Sequence, residues 1–366
     1  MAILRRAAVV TALVAAGALA VSGCAQSNGT PAATSGSTAA PTAAAALPAP
    51  FDGDDPVTVA LVRQSGAGDY FEAWGAGAEA QASFANIDLQ VTDARNDNAK
   101  HASDLEQAIA AKPDAIIVDH GQTDTIQPLV TKAVEAGIPV VVYDLALTDT
   151  EGVIVTAQSD KSMAEGVLEQ LIADVGEGAK VGYVSATGFA PLDRRAEVWD
   201  QVVADNDLDV VFSTGEVSDS TASDNVPLVD AALKQNPDVQ AIFAPYDEIT
   251  KGTVLAVQQN NLQDKVKVYG IDISNADLEV MNAEGSPWVA TSATDPAAVG
   301  AAVVRTLALS LAGELDETEV LFPAITITQE FLAENEVTNV AELRTAEPSL
   351  ELSDVVVADW LPAVSG

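Results

Sequence analysis

Carboxylates, not nucleophiles, dominate the chemistry this 366-residue chain can offer. It holds 54 Asp and Glu against 17 Lys and Arg, with two histidines, His101 and His120, and one cysteine, Cys24. No Gly-x-Ser-x-Gly elbow, His-Glu-x-x-His pair or lysine-bearing Gly-rich phosphate loop occurs. Asp205-Asn206-Asp207-Leu208-Asp209, with Ser213 and Glu216, spaces like a calcium loop. The sixth position, which that loop reserves for glycine, is Val210, so no metal site is expected. His120 follows an apolar run and is read as a hydrogen-bonding wall residue, His101 as an exposed helix residue. A carboxylate-pair glycosidase stays open on composition alone.

The polar residues gain meaning from the elements that carry them. Short apolar runs alternate with longer segments of helical spacing: Val57–Val62 then Tyr70–Phe84, Ile87–Val91 then Lys100–Ala111, Ala115–Val118 then Thr125–Ala136, with Ile138–Tyr143 next. The alternation resumes through Val153–Thr156, Lys180–Val184, Asp209–Phe212, Ala241–Phe243 and Val266–Ile271. It predicts α/β architecture: two doubly wound lobes with parallel sheets covered on both faces. Ligands of open parallel sheets sit at the carboxyl ends of the strands. Those ends read Arg63-Gln64, Asp93, Asp119-His120, Asp144, Gln158-Ser159-Asp160, Ser185, Tyr246-Asp247 and Asp272. Each carboxylate there could equally form a turn or cap a helix. Asp247 is read as such a cap.

The N-terminal stretch is of a different kind. Arg5-Arg6 precede the apolar run Ala7–Val21, and Val21-Ser22-Gly23-Cys24 resembles the lipobox of bacterial lipoproteins. That resemblance implies a signal peptide over 1–23, lipidation of Cys24 and attachment to the outer face of the cell membrane through the lipid alone. Residues 24–55, rich in Ala, Ser, Thr and Pro, are read as a disordered tether. The body that follows exceeds the usual ceiling of about 250–300 residues for one core, which again predicts two lobes. The formal charge of −37 sets the surface against nucleic acid and against anionic ligands at long range.

Several stretches of the body, in order, resemble the type I periplasmic sugar-binding proteins of the ribose-binding cluster. They are Gly68-Asp69-Tyr70-Phe71, Asp93 to Lys100, Ile138 to Asp144, Pro237 to Ala244 with Asp247-Glu248, and Val268 to Asp272. The resemblance implies the receptor component of an ABC importer, with two lobes joined by a hinge crossed three times. The lobes would be 56–157 plus 295–322 and 158–294 plus 323–345, with 346–366 as a C-terminal extension. It implies that Asp144 and Asp272 accept hydrogen bonds from sugar hydroxyls and that Tyr70 and Phe71 stack on the ring. Arg194 or its neighbour Asp193 would fall at the family's arginine position. Arg63, Gln64, Asp69, His120, Tyr246 and Thr294 complete the expected ligand-binding set.

Leu145 and Tyr246 stand where the ribose binder has arginine and asparagine, and Thr294-Asp295 stand near its glutamine. A pocket apolar on one wall follows, for a small neutral sugar, deoxysugar or polyol rather than ribose. The resemblance further implies no enzyme activity, no cofactor, no nucleic-acid partner, a monomer, and a permease with its ATPase as partners. A sugar-sensing module for a membrane receptor kinase is the second reading, an extracellular carbohydrate-active enzyme the third.

Overall fold

The computed structural model describes residues 45–364. The expected signal peptide, Cys24 and the expected tether up to residue 44 lie outside these residues. The first lobe opens with β1 (Val57–Arg63), α1 (Asp69–Phe84), β2 (Ile87–Asp93), α2 (Asn98–Ala111), β3 (Ala115–Asp119), α3 (Thr123–Glu135), β4 (Val140–Tyr143) and β5 (Val153–Gln158). The second holds α4 (Asp160–Val175), β6 (Lys180–Val184), α5 (Ala190–Asp205), β7 (Asp209–Thr214), α6 (Thr221–Gln235), β8 (Ala241–Ala244), α7 (Asp247–Gln259), β9 (Lys267–Ile271), α8 (Asn275–Asn282) and β10 (Trp288–Ala293). The chain returns to the first lobe for α9 (Pro296–Ala312) and β11 (Glu319–Phe322). It crosses again to β12 (Ile325–Thr328), α10 (Gln329–Glu334) and α11 (Val340–Ala346).

Each lobe is a six-stranded sheet, ordered β11-β5-β4-β3-β1-β2 in the first and β12-β10-β9-β8-β6-β7 in the second. All pairings are parallel except β10 with β12. Parallel sheets need cover on both faces, and both have it. Trp74, Tyr143, Val299 and Val303 pack in one cluster of the first lobe, and Leu105, Ile116, Ile126 and Val130 in another. The second lobe likewise divides its core between a cluster around Val254 and Trp288 and one around Leu168 and Phe243. Helices α1 and α9 touch backbone to backbone. A Cβ on Gly77 would stand 1.9 Å from the Ala297 carbonyl oxygen, and one on Gly300 2.0 Å from that of Trp74. Any side chain at either position would push the pair apart.

Two features depart from the sequence reading. The tether was expected to run to residue 55, yet Phe51 is fully buried and stacks on Trp360 with ring centroids 5.5 Å apart. The three expected crossings are joined by a fourth. Leu350 lies in the core of the second lobe, whereas Leu352, Trp360 and Leu361 lie in that of the first. The C-terminal extension is therefore a strap laid back over the first lobe. Arg305 of α9 holds it, donating to the carbonyls of Leu352 and Val355 at 3.1 Å each.

Candidate functional site

Strand register builds the first wall of the site. Arg63 of β1 lies level with Asp119 of β3, which lies level with Tyr143 of β4. The residues that follow, Gln64, His120 and Asp144, therefore emerge as a row along one sheet end. His120 and Asp144 take left-handed backbone conformations there, φ 59° and 48°, and Asp272 after β9 does the same at 79°. Non-glycine residues adopt this region at a cost, and such costs concentrate at functional sites.

A cavity lies between the lobes and, with its open mouth included, encloses about 570 Å³ of space. Of the expected residues, Gln64, Tyr70, Phe71, His120, Tyr246 and Asp272 line it. Six others stand elsewhere. Arg63 is buried behind the wall, its Nε donating to Asp119 Oδ2 at 2.7 Å and its Nη2 to the Phe71 carbonyl at 2.9 Å. Strand alternation turns Arg63 inward and Gln64 to the cleft. Asp69 sits at the rim, paired with Lys251 at 2.6 Å across the lobes. Thr294 is buried in the hinge and donates to Gln158 Oε1 at 2.6 Å. Asp193 is exposed and accepts from the Gly188 amide, tying the loop before α5 to its first turn.

Arg194 and Asp144 instead bridge the lobes. Arg194 Nη2 lies 2.6 Å from Asp144 Oδ1 and 2.6 Å from Asp160 Oδ2. The arginine that reaches the cavity is the next one. Arg195 donates from Nε to Asp160 Oδ1 and from Nη1 to the Pro245 carbonyl, both at 2.7 Å, with Asp272 Oδ2 at 3.6 Å. Helix α5 begins at Ala190, and its winding buries Arg195 on the cavity side while Arg194 stays partly exposed. His101 also differs from expectation: it is fully buried, packed under the first sheet. Ser65, Asn96, Gln158, Phe189, Pro191, Leu192 and Val217 complete the lining. Ser65, Asn96 and Val217 lie in the loops just after β1, β2 and β7 and Gln158 ends β5, a position that was the available signal for them; Phe189, Pro191 and Leu192 lie at the start of α5, beyond that signal.

The electrostatics favour a neutral donor of hydrogen bonds. Among the described residues, Gln64 Oε1, Asp144 Oδ2 and Asp272 Oδ1 are buried acceptors without a donor. Burial lifts the Asp272 carboxyl above its usual range despite the opposing pull of Arg195. Burial, helped by Asp160, pushes Asp144 up to about 6 against Arg194 and His120. Burial works against the charged His120 ring, but its 2.6 Å contact to Asp119 outweighs this and raises its pKa. Arg194 and Arg195 are both matched by carboxylates, so among the described residues the cavity holds no uncompensated arginine for a phosphate or carboxylate ligand. Tyr70 pairs its hydroxyl with that of Tyr143 at 2.5 Å, and the rings of Tyr70, Phe71 and Tyr246 meet edge to face along the cavity.

Two parallel-sheet lobes, a hinge and an interlobe cavity with orphaned acceptors define a solute-binding protein. Residues 59–315 match the periplasmic binding protein domain, and the chain belongs to that family. The ribose import binding protein RbsB of Escherichia coli (strain K12) is 30% identical over 259 residues, 70% of this chain and 86% of that protein. The Bacillus subtilis ribose import binding protein is 28% identical over 205 residues, so the match spans 65% of its length. Among solved structures, the 5-methylthioribose transporter solute-binding protein of Thermotoga lettingae, in complex with 5-methylthioribose, superposes with a TM-score of 0.82 at 37% identity. It covers 86% of this chain and 98% of its own. A sugar ABC transporter protein of Yersinia enterocolitica gives 0.83 at 29%, covering 87% and 98%. The chain is thus of the sugar-binding kind that serves import, and the relatives are binding proteins rather than enzymes.

Proposed function

We propose that this protein captures a neutral sugar or polyol between its lobes and delivers it, unaltered, to an ABC permease. One observation carries the reading. Asp272 Oδ1 and Gln64 Oε1 are buried acceptors on opposite lobes of one cavity, each lacking a donor among the described residues. An unpaired buried acceptor costs about 1–3 kcal/mol, and sugar hydroxyls supply what it needs. A ligand bonded to both lobes holds them together, so its differential contacts drive closure. The Thermotoga protein, bound to a neutral sugar derivative, supports this class.

Mass spectrometry of ligand released from denatured purified protein tests the reading. A neutral sugar or polyol, recovered intact after incubation, is the expected result. A sugar phosphate, uronate or amino acid in its place would sink it, and hydrolysis of an added glycoside would favour the enzyme reading. Attachment through lipid on Cys24 is part of the proposal. Cys24→Ala should stop membrane partitioning, and unchanged partitioning would remove that part.

A further inference from the structure

The second lobe presents its cavity wall as a gradient. Its sheet runs β9, β8, β6, β7, and the residues following those strands change character in that order. Asp272 follows β9, with Arg195 reaching the same place; Tyr246 follows β8; Phe189 and Leu192 follow β6; Val217 follows β7. One end is charged and rich in hydrogen-bonding groups. The other is hydrocarbon. Leu192 is buried, while Phe189 and Val217 remain partly exposed at the cavity, apolar surface that no neighbouring side chain covers fully.

We propose that the ligand is matched to this gradient: a neutral sugar derivative whose hydroxyls meet Asp272 and Arg195 and whose far end carries an apolar substituent against Phe189, Leu192 and Val217. The inference rests on the sugar reading above. Ring stacking does not account for the apolar end, because the rings of Phe71 and Tyr246 lie beside the polar groups, where they meet edge to face across the lobes with centroids 6.4 Å apart. Leucine and valine cannot answer a hydroxyl. On the facing lobe Asn96 Nδ2 already donates to the Ser218 carbonyl beside Val217, so a fully hydroxylated sugar loses hydrogen-bond partners at this end, which is worth about 10-fold to 100-fold in affinity. Replacing that hydroxyl by an alkyl-bearing group removes the penalty and adds apolar burial.

Calorimetry with the mature protein provides the test, using pentoses, hexoses and polyols paired with counterparts in which the terminal hydroxyl is removed or alkylated: D-ribose, 5-deoxy-D-ribose and 5-O-ethyl-D-ribose form one set. A substituted member should bind at least tenfold more tightly than its parent. Leu192→Asn should narrow that gap tenfold or more, and Val217→Thr, nearly isosteric and so safe for folding, should narrow it in the same direction. A parent sugar binding as tightly as every substituted counterpart overturns the inference and leaves the sugar reading standing. Failure of every neutral compound in the panel overturns both.

Discussion

Of the three arginines buried among the described residues, Arg63, Arg195 and Arg305, the last two are the most deeply buried and are held in opposite ways. Arg195 of the second lobe is 2% exposed and faces Asp160 and Asp272, which raise its pKa against the cost of burial. Arg305 of the first lobe is 0% exposed and bonds only neutral oxygens: Gln81 Oε1 and the carbonyls of Leu352 and Val355. Burial with no carboxylate to offset it lowers its pKa to about 10. A cation matched by carboxylates orients charge and can be re-engaged by a ligand. A cation held by carbonyls fastens one piece of chain to another. The difference separates function from architecture, and it can be tested.

Arg195→Met should have the largest effect. It leaves Asp272 without its cation in a buried site and Asp160 with Arg194 alone; breaking a buried pair typically costs about 3–5 kcal/mol, and sugar binding should fall below detection by calorimetry. Wild-type affinity in this variant would dissolve the contrast. Asp272→Asn keeps Arg195 paired with Asp160 but weakens one acceptor. Affinity should drop by about 2–3 kcal/mol, with the urea midpoint shifting little. Arg305→Met should cost about 1–3 kcal/mol of stability through the two orphaned carbonyls. Amide exchange should then rise across 352–364 while affinity changes less than twofold; lost binding with an intact strap would reverse the assigned roles.

Smaller effects sharpen the picture. The Asp144 pKa is raised from 3.8 to about 6, so the fold takes up a proton that the unfolded chain releases. The stability this contributes is present below pH 3.8 and is lost as pH rises through 6. Asp144→Asn should therefore gain about 1–2 kcal/mol on wild type between pH 4 and pH 7, read from denaturation midpoints. Asp193→Ala, at an exposed cap on Gly188, should cost less than about 1 kcal/mol in stability and leave affinity unchanged. A large loss of affinity there would restore Asp193 to the site.

Much of this was legible before the structure. The strand ends were readable because parallel strands buried on both faces stop being apolar where they leave the core, and that step placed Gln64, His120 and Asp272. Which neighbour faces the cleft was not readable. Arg63 against Gln64 and Arg194 against Arg195 each turn on one residue of register, set by where a strand or helix begins in three dimensions. Helix α9 hid its period because Pro296 through Leu309 are all buried, leaving no polar face to mark it. The strap over 352–364 was opaque for another reason. Arg305 grips it through backbone carbonyls, which every residue possesses and no sequence advertises.

The stacking of Phe51 on Trp360 ties the start of the described chain to its end. Asn86 Nδ2 donates to the carbonyls of Phe51 and Gly53, and the Val57 amide bonds the Asn86 carbonyl, which places this junction at the starting ends of β1 and β2. The cleft lies at the finishing ends. Chain arriving at residue 45 and chain leaving at residue 364 thus both join the first lobe, the former at its base. The second lobe carries neither end. Lobe closure of the proposed kind would leave both ends of the described chain on the first lobe.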